Sequence, residues 1–160
     1  MGNILTLEDK LKQNLTLITD NHVTFYPQHR LFFNKAPKLT EIQRKIYEEK
    51  ISRINNIIAH DEQYFEKENI ALPNNVALET YKNLIFELSL INISRFNMST
   101  SIEEGICLTF QNVDNRMYLE LYNDGDIAYL IENTNSGALI KSEDLSSIDQ
   151  AIKLVLEFVM

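Results

Sequence analysis

The sequence predicts an α+β fold: an antiparallel meander of four to five strands packed by helices on one face and preceded by an N-terminal helical arm. Three observations predict it. The apolar period falls from about 3.6 residues to 2 near Ile93. The stretch Gly105 to Ile131, GICLTFQNVDNRMYLELYNDGDIAYLI, alternates apolar and polar residues and breaks at two turns. Helical spacing then returns at Ile148, Ile152, Val155 and Val159. With 160 residues and 44% hydrophobic content, one compact unit with a real core is expected. Residues 1–70 form its helical arm with an aromatic loop, and residues 71–160 its α+β part.

Thr6 is a good N-cap for a first helix with Leu7, Leu11, Leu15 and Ile18 in one stripe. Met1 to Thr6 also fits the short pattern for N-myristoylation, although Thr6 already has its use as the cap. Residues 21–38 are aromatic (Phe25, Tyr26, Phe32, Phe33) and broken by Pro27 and Pro37, which excludes a continuous helix. They read as an irregular segment whose aromatics pack on the core, with a binding loop as the alternative. His22 and His29 have no metal-ligand spacing.

Thr40 and Gln43 form a capping-box pattern that opens the longest helix, 41 to about 66. Ile42, Ile46 or Tyr47, Ile51, Ile54, Ile58 and Phe65 mark its apolar face. Positions 47, 51, 54, 58, 61 and 65 step like a coiled-coil seam, with Asp61 interrupting it, so a homodimer through the 41–66 helix is one expectation. Asn74 or Asn75 caps a second helix to about Asn92, with Ala77, Tyr81, Leu84, Leu88 and Ile91 in its stripe. A strand over 93–100 follows, with Phe96 and Met98 on one face. In the next strand Ile106, Leu108 and Phe110 point one way, and Cys107 and Thr109 the other. Val113 to Arg116 turns the chain. A short strand over 137–141 and a helix over 147–158, with Ser146 and Asp149 as its capping box, close the fold.

Register depends on Asn123-Asp124-Gly125. A two-residue loop would pair Tyr122 with Ile127. A type I turn with Gly125 left-handed in a bulge pairs Leu121 with Ile127 and Leu119 with Tyr129. The second arrangement is preferred. It places Met117, Leu119, Leu121, Ile127, Tyr129 and Ile131 inside, and Tyr118, Glu120, Tyr122, Ala128, Leu130 and Glu132 outside. A slip of one residue would exchange the two faces.

The net charge of −8 is uneven. Residues 1–100 balance 12 acids with 12 bases, whereas residues 101–160 hold 11 acids against Arg116, Lys141 and Lys153. Such acidity repels nucleic-acid phosphates and attracts basic partners. No apolar run is long enough to span a membrane and no signal peptide is visible, so a cytoplasmic setting is expected. The single cysteine, Cys107, excludes an internal disulfide and reads as a small packed residue. Asp124 and Asp126 lack the further oxygen ligands of a calcium loop and fit hairpin chemistry instead. No catalytic residue, metal site or cofactor is therefore expected.

Two resemblances add to this. Arg53 and His60, with six residues between them on the long helix, resemble the active motif of HEPN-type ribonucleases. That resemblance implies an all-helical domain, a metal-independent nuclease, His60 as general acid or base and Arg53 as phosphate holder. Second, Leu72-Pro73 before a helix, Gly105-Ile106 entering the meander, and Leu119-Glu120-Leu121 followed by Asp124-Gly125-Asp126-Ile127-Ala128-Tyr129 resemble a group of small uncharacterised bacterial proteins, over residues 72–158. Some of these are similar to the antitoxin or immunity partner of two-gene toxin cassettes. This implies a non-enzymatic protein-binding module for a basic protein such as a toxin. Tyr118 and Tyr122 are then the expected contact anchors, since rings with a polar tip suit interfaces, while Glu120, Asp124, Asp126 and Glu132 steer the partner.

Overall fold

The computed structural model describes residues 24–25, 31–32 and 38–160. The expected first helix, the myristoylation pattern and most of the aromatic segment lie outside the described residues. Within that segment, β1 (Thr24–Phe25) and β2 (Leu31–Phe32) pair antiparallel. The main unit runs α1 (Glu41–Glu68), α2 (Asn75–Leu90), β3 (Asn97–Ser101), β4 (Gly105–Gln111), β5 (Asn115–Tyr122), β6 (Ile127–Asn133), β7 (Leu139–Leu145) and α3 (Ile148–Val159). The five strands β3 to β7 form one antiparallel sheet in sequence order. The chain is α+β, with the three described helices on one face of a meander.

The core joins that face to the helices. Ile106, Leu108, Phe110, Met117, Leu119, Leu121, Ile127 and Tyr129 of the sheet meet Ile54, Ala77, Tyr81, Leu84, Leu88, Ala151 and Val155. Ile54 belongs to α1, so the stretch expected as an arm contributes to the common core. The Tyr81 hydroxyl, fully inside, donates to the Lys50 carbonyl at 3.0 Å and lies 3.1 Å from Met98 Sδ. A buried phenol needs such partners, and here they tie α2 to both α1 and β3.

The long helix starts where its capping box predicts. Thr40 Oγ1 accepts from Gln43 N, and Gln43 Oε1 accepts from Thr40 N. Its packed face is the expected one from Tyr47 onward, with Ile54 and Phe65 buried and Tyr47, Ile51 and Ile58 half-buried, but two polar residues join it and Ile42 does not. Ile42 is 72% exposed, while Gln43 and Lys50 are buried. The reason is that both polar side chains find partners on neighbouring elements. Gln43 Nε2 donates to the Leu90 carbonyl at the end of α2, and Lys50 Nζ sits 4.6 Å from the centre of the Phe96 ring. Burial holds the Lys50 ammonium below its ordinary pKa. Periodicity counts both residues as polar and so leaves them out of the stripe.

Boundaries differ in four further places. The strand expected over 93–100 begins at Asn97, because Ile93 N turns back to the Leu88 carbonyl after α2. The turn expected at Val113–Arg116 sits one residue earlier. Asn112 Oδ1 accepts from Asp114 N and Asn115 N, which frees Arg116 to pair with Gln111. The strand expected over 137–141 runs from Leu139 to Leu145. It is an edge strand, exposed along nearly its whole length, so Lys-Ser-Glu-Asp needs no apolar alternation. Finally, the cap of α3 is Ser147 rather than Ser146. Ser147 Oγ accepts from Gln150 N, and Gln150 Oε1 accepts from Ser146 N.

One loop residue is strained. Glu104, between β3 and β4, has φ 67°, in the left-handed region where a side chain costs about 1–2 kcal/mol. Glu104→Gly is expected to raise stability by about 0.5–1 kcal/mol, read as a higher denaturant midpoint at unchanged slope.

Candidate partner-binding face

The turn at Asn123 fixes which side chains face outward. Gly125 N donates to the Tyr122 carbonyl, Gly125 has φ 98°, and Tyr122 N donates to the Asp126 carbonyl. This is the type I turn with a left-handed glycine, and it pairs Leu121 with Ile127 and Leu119 with Tyr129. Tyr129 is 2% exposed and belongs to the core. Tyr118, Glu120, Tyr122, Ala128, Leu130 and Glu132 project from the opposite face and are half-buried. Among the described residues no helix lies against that outer face.

The expected contact residues separate into three groups. Tyr118 donates its hydroxyl to Glu132 Oε1 at 3.0 Å, and Arg116 reaches both, 3.2 Å from the phenol oxygen and 3.5 Å from the carboxylate. Tyr122 donates to Glu103 Oε2 at 3.3 Å. Burial first, then the charges of Glu120, Glu103 and Asp144, push the Tyr122 hydroxyl up to about 12. Four negative or potentially negative groups thus crowd one end of the face. Glu120 stands between the two tyrosines in the strand and pairs across to Cys107 and Ala128. Its carboxyl accepts from the Cys107 thiol, and its buried Oε2 has no N–H or O–H donor.

Asp124 and Asp126 stand apart, at the hairpin tip, and both are exposed. Asp124 Oδ1 accepts from Asp126 N at 3.0 Å, which closes the turn. Among the described residues no cluster of three or more metal-ligating acids, histidines or cysteines occurs. Cys107 is buried on the outer side of β4, as its alternation predicts. Burial, then the Glu120 carboxylate, pushes its thiol up to about 12, so it is inert as a nucleophile at neutral pH.

Sequence reasoning left out Glu103, Arg116 and Asp144. The signal for Arg116 was present: once register is fixed, Arg116 falls opposite Glu132. Asp144 follows only when β7 is extended, because it then pairs with Ala128 beside Glu120. Exposed Leu139 pairs with Glu132 and adds an apolar rim at the Arg116 end.

Arg53 and His60 occupy α1, and both are exposed. His60 Nδ1 lies 2.9 Å from Asp61 Oδ1, while Asp61 Oδ2 accepts from Thr100 Oγ1 at 2.6 Å. The His60–Asp61 contact thus belongs to a link between α1 and β3. The HEPN resemblance implies an all-helical domain, whereas this chain is built on a sheet. The seam positions Tyr47, Ile51, Ile54, Ile58 and Phe65 are buried or half-buried. All but Phe65 join or pack against the chain's own core cluster. Hydrogen bonds from His60 and Thr100 hold the Asp61 carboxyl below its ordinary 3.8. A carboxyl held low binds its proton less readily when folded, so its contribution is present above that ordinary value and is lost as pH falls through the folded one. Thr100→Val is expected to move the acid-unfolding midpoint slightly upward in pH.

No helix among the described residues is long and apolar enough to cross a membrane. No protein-family model, curated protein or solved structure matches the chain.

Proposed function

We propose that the chain is a non-enzymatic protein-binding module whose outer sheet face receives a basic protein, in the manner of an antitoxin or immunity partner. The observation that carries this is a row of two tyrosines and a central carboxylate on a sheet face that the described helices leave open. Around it stand Glu103, Glu132 and Asp144. Aromatic rings with polar tips supply contact area at low entropic cost, and a one-signed field speeds encounter with a partner of opposite charge. Asp124 and Asp126 add charge at the hairpin tip, so they affect encounter rate rather than the packed centre.

The test is affinity capture from the native host with wild-type protein and with Tyr118→Ala/Tyr122→Ala. A basic protein is expected to be retained by the wild type and lost by the double variant. Its purified form should bind with an affinity that falls at least about tenfold in the variant, the loss expected from removing two aromatic anchors. Binding that is unchanged in the variant, or a partner that is acidic, would sink the proposal. The same wild-type protein incubated with RNA, beside His60→Ala, addresses the nuclease alternative: cleavage lost in His60→Ala would replace this reading.

A further inference from the structure

β7 ends the sheet, and among the described residues no strand pairs with its free side. It is exposed from Leu139 to Asp144. The alternation of the ladder says which of its backbone groups look outward. Tyr122 N donates to the Asp126 carbonyl, so Tyr122 and every second residue before it on β5 turn their backbone groups to β6. Their partners Leu130 and Ala128 face back to β5, which leaves Tyr129 and Ile131 facing β7. Glu143 and Lys141 pair with these two. Ser142 between them therefore directs its N–H and carbonyl to the free side, as Asp144 does. The side chains are ordered as well. Lys141 Nζ lies 3.2 Å from Glu143 Oε2, and Tyr129 donates its hydroxyl to the same oxygen at 3.1 Å. Leu139 and Ile140, large apolar residues at the start of the strand, are 62% and 55% exposed.

We infer that β7 is a self-complementary edge that joins a second copy of this chain, antiparallel and centred on Ser142, into one continuous sheet. A charged edge strand ordinarily turns other strands away. Lys141-Ser142-Glu143 differs in being its own match. With Ser142 of each copy on the two-fold axis, the outward N–H and carbonyl of one exchange both bonds with those of the other. Lys141 then falls opposite Glu143 of the second copy, and Glu143 opposite Lys141 of the second copy. These are non-hydrogen-bonded positions, where side chains approach most closely. Opposite charges attract there and like charges repel. Centres at Lys141, Glu143 or Asp144 each set a charge against its own copy, so the charges select Ser142. Leu139 and Ile140 lie beside the downstream end of the other strand and lose contact with water there. Ile140 is the extra residue of a bulge, since Lys141 pairs with Ile131 and Leu139 with Glu132, and the regular ladder stops at it. The joint is therefore short, and small interfaces are weak. The two-fold axis runs perpendicular to the sheet, so the two outer faces lie side by side. The inference does not depend on what those faces bind.

The test is sedimentation velocity of the full chain from about 5 to about 500 µM, a range that suits a small interface. The wild type is expected to shift from monomer to dimer across it. Lys141→Glu and Glu143→Lys should each weaken association at least about tenfold, since each sets like charges against one another on both sides of the axis. An equimolar mixture of the two variants should regain the wild-type level, because the acids of one then face the lysines of the other. Effects within one chain cannot produce that rescue. The Lys141–Glu143 pair is exposed, so each variant is expected to stay folded, as circular dichroism would check. Ser142→Pro removes an outward N–H, costs no bond to β6, and should also lose association. A wild type that stays monomeric at the highest concentration, association that survives in both charge variants, or a mixture no better than its components would each overturn the inference. Capture of a basic protein is read in a separate assay and stands or falls by itself.

Discussion

Gly105→Ala is expected to cost about 3–4 kcal/mol and to lower the melting temperature by roughly 10 °C, which thermal unfolding followed by circular dichroism would show. Gly105 opens β4 and pairs with Tyr122. A methyl group there would overlap the Leu121 carbonyl oxygen and lie 3.0 Å from the Tyr122 Cα. Both neighbours are backbone, held by the ladder, so no side chain can swing away. The strand pair must open at this end, and the adjacent Ile106 and Leu121, both fully buried, are pulled with it. A melting temperature within about 1 °C of wild type would mean that β4 and β5 do not approach this closely, since overpacking against a fixed backbone always costs more.

Asn123→Ala is expected to cost about 2–3 kcal/mol, again read by thermal or denaturant unfolding. Asn123 was recognised as a turn residue, but its side chain is a tertiary clip. Its Nδ2 donates to the Leu72 carbonyl at 2.9 Å and its Oδ1 accepts from Asn74 N at 2.7 Å. Asn74 Nδ2 in turn donates to the Asn123 carbonyl at 2.9 Å. Asn74 is also the cap of α2, its Oδ1 accepting from Val76 N and Ala77 N. Alanine removes two bonds at about 1 kcal/mol each and leaves the part-buried Leu72 carbonyl without its donor. Asn123→Asp keeps the acceptor for Asn74 N and loses the donor to Leu72, so it should fall between wild type and alanine. An alanine variant as stable as wild type would show that the clip does not hold the hairpin to α2.

Much of the fold was legible because local chemistry and hydrophobic period agreed. Thr40 and Gln43, Asn74, and Asn123 to Gly125 each announce a cap or a turn through residues a few positions apart. The face assignment then follows from alternation once the turn type is chosen. Illegible features depend on partners distant in sequence. Gln43 and Lys50 look like surface residues until the end of α2 and Phe96 are brought against them. The clip between Asn123 and Asn74 spans 49 positions. β7 escapes because an edge strand has only one neighbour and needs no buried face. For the candidate site, Tyr118, Glu120, Tyr122 and Glu132 were placed on the outer face by the same alternation that placed the core. What alternation cannot supply is the state of their bonds: that the two phenols are engaged by Glu132 and Glu103, and that the carboxyl between them meets the Cys107 thiol.

The strands follow one another in the sheet as they do in the sequence, and this has a consequence for the newborn chain. Each strand finds its partner across a short loop, so loop closure costs little and the hairpins can zip in turn as they emerge from the ribosome. α1 and α2 precede the sheet and are ready to cover most of its apolar side. α3 follows it, and Ala151 and Val155 complete the core only then. Until α3 docks, the assembled sheet carries an apolar strip open to water. Its two borders are a strand of Asn-Met-Ser-Thr-Ser and a strand whose middle, Lys-Ser-Glu-Asp, is polar and charged, which makes these stretches poor templates for a chain that does not match them. The polarity of the edges thus protects the sheet most before α3 covers it.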